Sequence, residues 1–256
     1  MSMLETLRRV GCRWARHGLD LLYPPRCVFC RRELGDEHAP ASGLRRANVC
    51  EPCGRALVAD QPRCPTCGAP GASGGCGRCR GRSLDWDGIA VLGPYADELR
   101  AAVLRAKRPS GDVVSTALAD LLVHRHRDLL ATWRIDVVVP VPMHWLRRSL
   151  RGTSAAEELA RGVAAGLGLP CRPWLRRAHA TPMQNELPVE ARRGNVREAF
   201  RASRRLEGRR VLLVDDVATT GATLGACRGA ARAVGAAAVY AAVVARAERL
   251  DSPAAD

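Results

Sequence analysis

The sequence predicts an α/β fold: a parallel-sheet domain covered by helices, led by a small cysteine-rich module. Three observations carry this expectation. After residue 85, short apolar runs such as Val211–Val214 (VLLV) and Val137–Pro140 (VVVP) alternate with helical segments, and near-continuous apolar strands belong to parallel sheets buried on both faces. Nine of the eleven cysteines lie before residue 80, eight of them in four C-x-x-C pairs. With 256 residues and 47% hydrophobic content, the chain suffices for one ordinary domain with an appendage.

Residues 1–26 form the first unit. Leu4, Leu7, Val10, Trp14 and Leu21 recur at near-helical spacing with arginines between them, which predicts a basic amphipathic helix over 3–22, its apolar face packed on the rest of the protein. Tyr23-Pro24-Pro25 ends it. Arg8, Arg9, Arg13 and Arg16 interrupt the apolar stretch that a secretory signal requires, and no run approaches the roughly 18 apolar residues of a membrane span. A cytoplasmic location is expected, where thiols stay reduced and are available as ligands.

Residues 27–84 are poor in aliphatic side chains and rich in Gly, Pro and Cys, so they need a source of stability other than a hydrophobic core. Cys27, Cys30, Cys50 and Cys53 give C-x2-C-x19-C-x2-C, and Cys64, Cys67, Cys76 and Cys79 give C-x2-C-x8-C-x2-C. Eight thiolates at this spacing suit two tetrahedral zinc ions. We read the pairs as coordinating in sequence, with a cross-brace as the alternative. All-cysteine sites leave no open position, so the zinc is expected to be structural. Gly54 and Gly68 after the second cysteine of a pair, and Pro52 and Pro65 after the first, fit zinc knuckles. Cys12, Cys171 and Cys227 stand alone and read as small buried hydrophobes.

Residues 85–250 form the main domain. Strands are expected at Ile89–Leu92, Ile135–Val141, Arg210–Val214 and Ala238–Ala245, with helices at Asp97–Lys107, Asp112–Arg127, Ala155–Gly166 and about Thr220–Val234. A long polar loop precedes Arg210, and residues 251–256 read as a disordered tail. The net charge is +14, and of the 40 basic residues only Lys107 is a lysine. The charge points toward polyanionic partners, but such an arginine bias, beside abundant Ala and Gly, also reads as the codon usage of a GC-rich genome.

The most informative stretch is VLLVDDVATTGAT, residues 211–223. A buried strand delivers Asp215 and Asp216 to its C-terminal end, where ligands of open α/β sheets bind. The chain then turns through Thr219, Thr220 and Gly221 into a helix whose first amides suit a phosphate. Thr220 and Thr223 add hydroxyl donors, and Gly221 lets backbone approach the anion. A sugar phosphate presents a dianion and a vicinal diol, and this segment offers groups for both.

The segment resembles the phosphoribosyl pyrophosphate (PRPP) motif of type I phosphoribosyltransferases. That resemblance implies a catalytic acidic pair, Asp215 and Asp216, on the ribose hydroxyls. It places Ala218, Thr219, Thr220, Gly221, Ala222 and Thr223 around the phosphate, with Mg²⁺ accompanying PRPP. It further implies a pyrophosphate loop of Val141, Pro142, Met143, Arg147 and Arg148, and a mobile hood over residues 176–196 that includes Arg177, Gln184 and Arg193. DLLYPPRC (20–27), PVPMHWLRRSLRG (140–152), the spacing of Arg176, Arg177, Thr181, Gln184 and Leu187, and Arg193 with Asn195-Val196 and Phe200 narrow the resemblance to the ComF family. That family is tied to DNA uptake in natural transformation. Two departures stand out: Thr153-Ser154-Ala155 replaces Phe-Asn-Gln, and Thr219 occupies the place of an acidic residue that handles the base proton in purine-salvage relatives.

Three functions fit these residues. The first is a competence protein that binds PRPP or a related sugar phosphate and assists entry of single-stranded DNA, with DNA-uptake machinery as partner. Its support includes eleven arginines against four glutamates from Arg172 to Arg210. The second is an active phosphoribosyltransferase on an unknown acceptor, and the third a non-enzymatic scaffold whose zinc ribbons contact proteins. Within the basic stretch only Trp174 and Phe200 are aromatic, a thin stacking platform for single strands.

Overall fold

A computed structural model describes residues 24–34, 48–71, 76, 86–143, 154–177 and 199–247. The helix expected over 3–22 and the tail at 251–256 lie outside the described residues. In chain order the elements are helix α1 (Glu51–Leu57), strand β1 (Ile89–Pro94), helices α2 (Asp97–Ala106), α3 (Asp112–Arg125) and α4 (Arg127–Thr132), strand β2 (Val137–Pro140), helix α5 (Ala155–Leu167), strands β3 (Leu175–Arg177) and β4 (Phe200–Ala202), a 3₁₀ turn (Arg204–Leu206), strand β5 (Arg210–Ala218), helix α6 (Ala222–Ala233) and strand β6 (Ala238–Arg246).

The main sheet has four strands in the order β1-β6-β5-β2, every pair parallel. Alternate residues feed opposite faces. Val138, Leu212, Val214, Ala242 and Val244 join the core under α3 and α5, which includes Leu118, Leu122, Leu159 and Val163. Val137, Val139, Val211, Leu213 and Val243 join Leu224, Ala226, Cys227 and Ala231 of α6. The α3–α5 contact is close because Gly162 lacks a Cβ, which would stand 2.6 Å from the Ala119 methyl.

Connectivity places the site. From β2 the chain crosses one face through α5 and returns beside β2, where Val138 bridges Cys171 in parallel and Val138 N–H donates to Pro170 O at 3.0 Å. From β5 it crosses the other face through α6 to β6. Neighbouring strands β2 and β5 thus send their connections in opposite directions, the arrangement at whose carboxyl ends ligands of open α/β sheets bind.

Four expectations change. β5 does not stop at Val214: β6 keeps pairing with it through Ala218↔Arg246, whereas β2 ends at Pro140↔Val214. The helix expected to Arg127 breaks at His126, whose half-buried ring meets Val91 O at 2.9 Å; loss of solvent around it holds this imidazole below its ordinary pKa. The long polar loop has an ordered base, since Leu175–Arg177 pairs antiparallel with Phe200–Ala202. Gly54 is not a knuckle glycine but lies in α1. In the first knuckle Arg31 takes the positive φ of 63° that Gly68, at 73°, takes in the second.

The ribbons cap β1, the edge of the main sheet. Ile89 N–H donates to Pro65 O at 2.7 Å, and Ala59 N–H to Leu92 O at 3.0 Å. An uncovered edge strand is a template for aggregation, so this docking protects the sheet.

Candidate functional site

Beyond Val214, β5 has a strand partner on one side only. Asp215 and Asp216 therefore stand where β2 has ended and Val141–Met143 leave the sheet, Val141 N–H still donating to Val214 O at 2.9 Å. Strand alternation separates the acids. Asp216 follows Leu212 and Val214 toward the α2–α3 side, where Lys107, at the end of α2, sets Nζ 2.9 Å from Asp216 Oδ2. Asp215 follows Leu213 toward α6, and its Oδ1 accepts the Asp216 N–H at 2.8 Å. Burial pushes the Asp215 carboxyl well above the ordinary range, Asp216's charge adds to the push, and Lys107 opposes it. Below it, burial drives the Cys227 thiol up; Asp215's charge acts in the same direction and Arg177's against it. Cys227 is fully buried, as expected of a small hydrophobe, and Cys171 is partly so.

The turn expected to receive a phosphate follows directly. Ala218 and Gly221 are buried, whereas Thr219, Thr220, Ala222 and Thr223 are exposed. Gly221 caps α6 with φ 81°, Thr220 Oγ1 accepts from Ala222 N–H at 3.3 Å, and the helix ladder begins with Gly225 N–H on Gly221 O at 2.8 Å. The first amides of a helix lack intrahelical partners and carry positive charge. The space at Gly221 is shared with an aromatic ring. A Cβ there would stand 2.7 and 2.9 Å from two ring carbons of Trp86, so the room left by the missing side chain accommodates the indole.

Of the loop and hood residues, Val141 is buried, and Pro142 and Met143 half-buried, beside the acidic pair. Arg177 sits on β3 with its guanidinium 5.5 Å from the Phe200 ring centroid. Arg147, Arg148, Gln184 and Arg193 lie outside the described residues. Neither aromatic of the basic stretch offers a free stacking face: Phe200 is 5% exposed, and Arg209 covers Trp174 at 5.6 Å.

The cysteines gather in sequence. Cys27, Cys30, Cys50 and Cys53 form one group and Cys64, Cys67 and Cys76 another, the sulfurs of each lying within 4.8 Å of one another; Cys79 lies outside the described residues. Cys30–Cys50 and Cys67–Cys76 Sγ pairs are 3.6 Å apart. A zinc tetrahedron with bonds of about 2.3 Å has edges of about 3.8 Å, whereas a disulfide spans about 2.05 Å. The donor set fits structural zinc. Burial alone would raise the Cys27 thiol, but backbone N–H groups of Cys30, Cys50 and Phe29 outweigh it and bring it down to about 6. Burial pushes the Cys50 and Cys53 thiols of the same group up, so the four sulfurs do not ionise together without a cation among them.

Sequence reasoning missed three residues that frame the site. Lys107 carried a signal, being the chain's one lysine. Trp86, whose Nε1 donates to Thr66 O at 2.8 Å, and Arg105, whose guanidinium donates to Phe29 O and Val28 O at 3.0 and 2.7 Å, carried none.

Residues 18–80 match the double zinc ribbon domain family, and residues 113–254 the phosphoribosyl transferase domain family. The chain is 29% identical over 211 residues to the DNA utilization protein YhgH of Escherichia coli, covering 79% of this chain and 88% of that protein. It is 30% identical over 206 residues to Competence protein F of Haemophilus influenzae, covering 77% and 86%. A solved structure of glutamine phosphoribosylpyrophosphate amidotransferase from B. subtilis matches 52% of this chain and 27% of its own length at 24% identity, with a TM-score of 0.35.

Proposed function

Because this chain belongs to the phosphoribosyl transferase domain family, in the ComF-type form with a double zinc ribbon ahead of that domain, we propose that it binds PRPP or a related sugar phosphate and assists uptake of single-stranded DNA from the cytoplasmic side. The observation that carries the binding reading is the junction of Asp215 and Asp216 with the turn at 219–223, at the switch point between β2 and β5. The DNA role draws on the names of the relatives.

In this reading Asp216, paired with Lys107, accepts hydrogen bonds from the ribose hydroxyls, and Asp215 supports it from below through the Asp216 N–H. The first amides of α6, with the hydroxyls of Thr219, Thr220 and Thr223, receive the 5-phosphate. Val141–Met143, continuing to Arg147 and Arg148, meet the pyrophosphate, while Arg177, Gln184 and Arg193 belong to the covering hood. A Mg²⁺ ion carried with PRPP supplies charge neutralisation, and the Asp pair offers the hard oxygen donors it prefers.

A ³¹P spectrum of the zinc-loaded protein with PRPP and Mg²⁺ tests the reading. Perturbed PRPP resonances support binding, and unperturbed resonances at saturating protein sink it. The retained acidic pair favours a second reading, turnover onto an acceptor, which would appear in the same experiment as free pyrophosphate once nucleobases are added.

A further inference from the structure

We propose that each zinc ribbon braces one half of the sugar-phosphate site: the second ribbon holds the phosphate turn through Trp86, and the first holds the acidic pair through Arg105 and Lys107. The inference rests on the proposed binding site, but its structural core can be tested without a ligand.

The first link starts at Thr66, between Cys64 and Cys67 of the second cluster. Its carbonyl accepts the Trp86 indole N–H at 2.8 Å, and the far edge of that indole fills the space over Gly221. The knuckle is itself fixed to the sheet by Ile89 N–H on Pro65 O. Gly68 is pressed against β1 and β6, where a Cβ would stand 2.7 Å from Val91 and 3.2 Å from Arg246. A metal that shapes the Cys64–Cys67 knuckle therefore fixes the carbonyl that orients Trp86, and Trp86 limits the conformations open to the turn at 219–223.

The second link starts at Val28 and Phe29, between Cys27 and Cys30. Their carbonyls accept both terminal nitrogens of Arg105, whose guanidinium also lies 5.9 Å from the Phe29 ring centroid. Arg105 is in the last turn of α2, and Lys107 caps that helix with its N–H on Arg105 O. The first knuckle thus anchors the helix end that presents Lys107 to Asp216. Both Arg105 and Trp86 are positioning residues, acting on the site through a neighbour.

The test uses full-length zinc-loaded protein and two variants that keep every cysteine. Trp86→Phe removes the donor to Thr66 together with the far indole edge that meets Gly221, and Arg105→Gln removes the fork on the first knuckle. Backbone hydrogen exchange is measured over 105–108 and 215–225, alongside calorimetric titration with inorganic phosphate and ribose 5-phosphate. We expect Trp86→Phe to raise exchange at 219–225 and to weaken both ligands by on the order of fivefold, the low end of ordinary coupling between sites. Arg105→Gln should raise exchange at 105–108 and weaken ribose 5-phosphate while sparing phosphate. Unchanged protection in both variants, or identical effects of both on both ligands, would overturn the proposal. If the parent binds neither ligand while the exchange pattern appears, the bracing stands and the binding function fails.

Discussion

Lys107 sets its ammonium 2.9 Å from the Asp216 carboxylate, so the one lysine among 40 basic residues stands on the acidic pair. An ammonium is a compact point charge, whereas a guanidinium is a planar fork. Lys107→Met should leave two adjacent carboxylates without their cation and weaken ribose 5-phosphate by roughly 5- to 30-fold, about 1–2 kcal/mol, with inorganic phosphate little affected. Because Lys107 opposes the upward push on Asp215, the pH at which sugar binding reaches half its maximum should rise in the variant. Calorimetry across pH reads both effects, and a parent-like profile would remove Lys107 from the site.

Asp215 should make the fold less stable as pH rises. Its folded pKa lies above the ordinary value, by burial first and Asp216's charge second, so the folded state binds more protons than the unfolded chain between those two pKa values. Stability from this group is present below the unfolded pKa and is lost as pH climbs through the folded one. Asp215→Asn should therefore unfold at a higher temperature than the parent at pH 8, by about 2–4 °C, the shift that about 1 kcal/mol gives in a chain of this size. The difference should vanish near pH 4. A gap independent of pH would contradict it.

Gly221→Ala should cost about 1–3 kcal/mol, because it places a side chain at φ 81° and drives its Cβ into Trp86. If the collision is with the indole, the same substitution in a Trp86→Ala background should cost less, leaving the backbone term of about 1 kcal/mol. Equal costs in both backgrounds would move the clash elsewhere. Gly221→Val should remove binding of ribose 5-phosphate and phosphate together, through displacement of the turn.

The protein should carry about two zinc ions per chain, since the described cysteines gather into one group of four and one of three, to which Cys79 would add the fourth ligand. Chelation should expose the backbone of residues 24–34 and 48–71 to hydrogen exchange before β5 and β6, which have their own apolar core. Elemental analysis that finds iron, or no metal in freshly purified protein, would reject the ribbons.

Affinity for single-stranded DNA should fall with salt and vary little with sequence, because the exposed arginines can meet phosphates while Phe200 and Trp174 offer no open stacking face. Replacing Arg201, Arg204 and Arg205 with alanine should flatten the salt slope by about 0.7 for each phosphate that the variant no longer neutralises. An unaltered slope would mark this patch as solvated surface.

The features legible in the sequence are local in the chain. The strand Val211–Val214, the acid pair after it and the Thr-Thr-Gly turn are contiguous, so hydrophobic run, charge and turn chemistry reveal their roles together. Pairs of thiols two residues apart announce a metal in the same way. Where an element ends is less local. β5 runs to Ala218 because β6 continues beside it, and Arg176 and Arg177 are strand because Arg201 and Phe200 lie across from them; no pattern in either segment specifies a partner.

Which distant residues complete the site was settled by packing in three dimensions. Asp215 and Asp216 look equivalent in sequence, but strand alternation aims them at opposite faces, and the packing of α2 gives one of them Lys107. Trp86 precedes the domain's first strand, yet docking of the second knuckle on β1 carries it to Gly221. Contacts of this kind depend on how separate surfaces fit after each has formed, and the chain encodes that fit in volumes and hydrogen-bond geometry rather than in spacing.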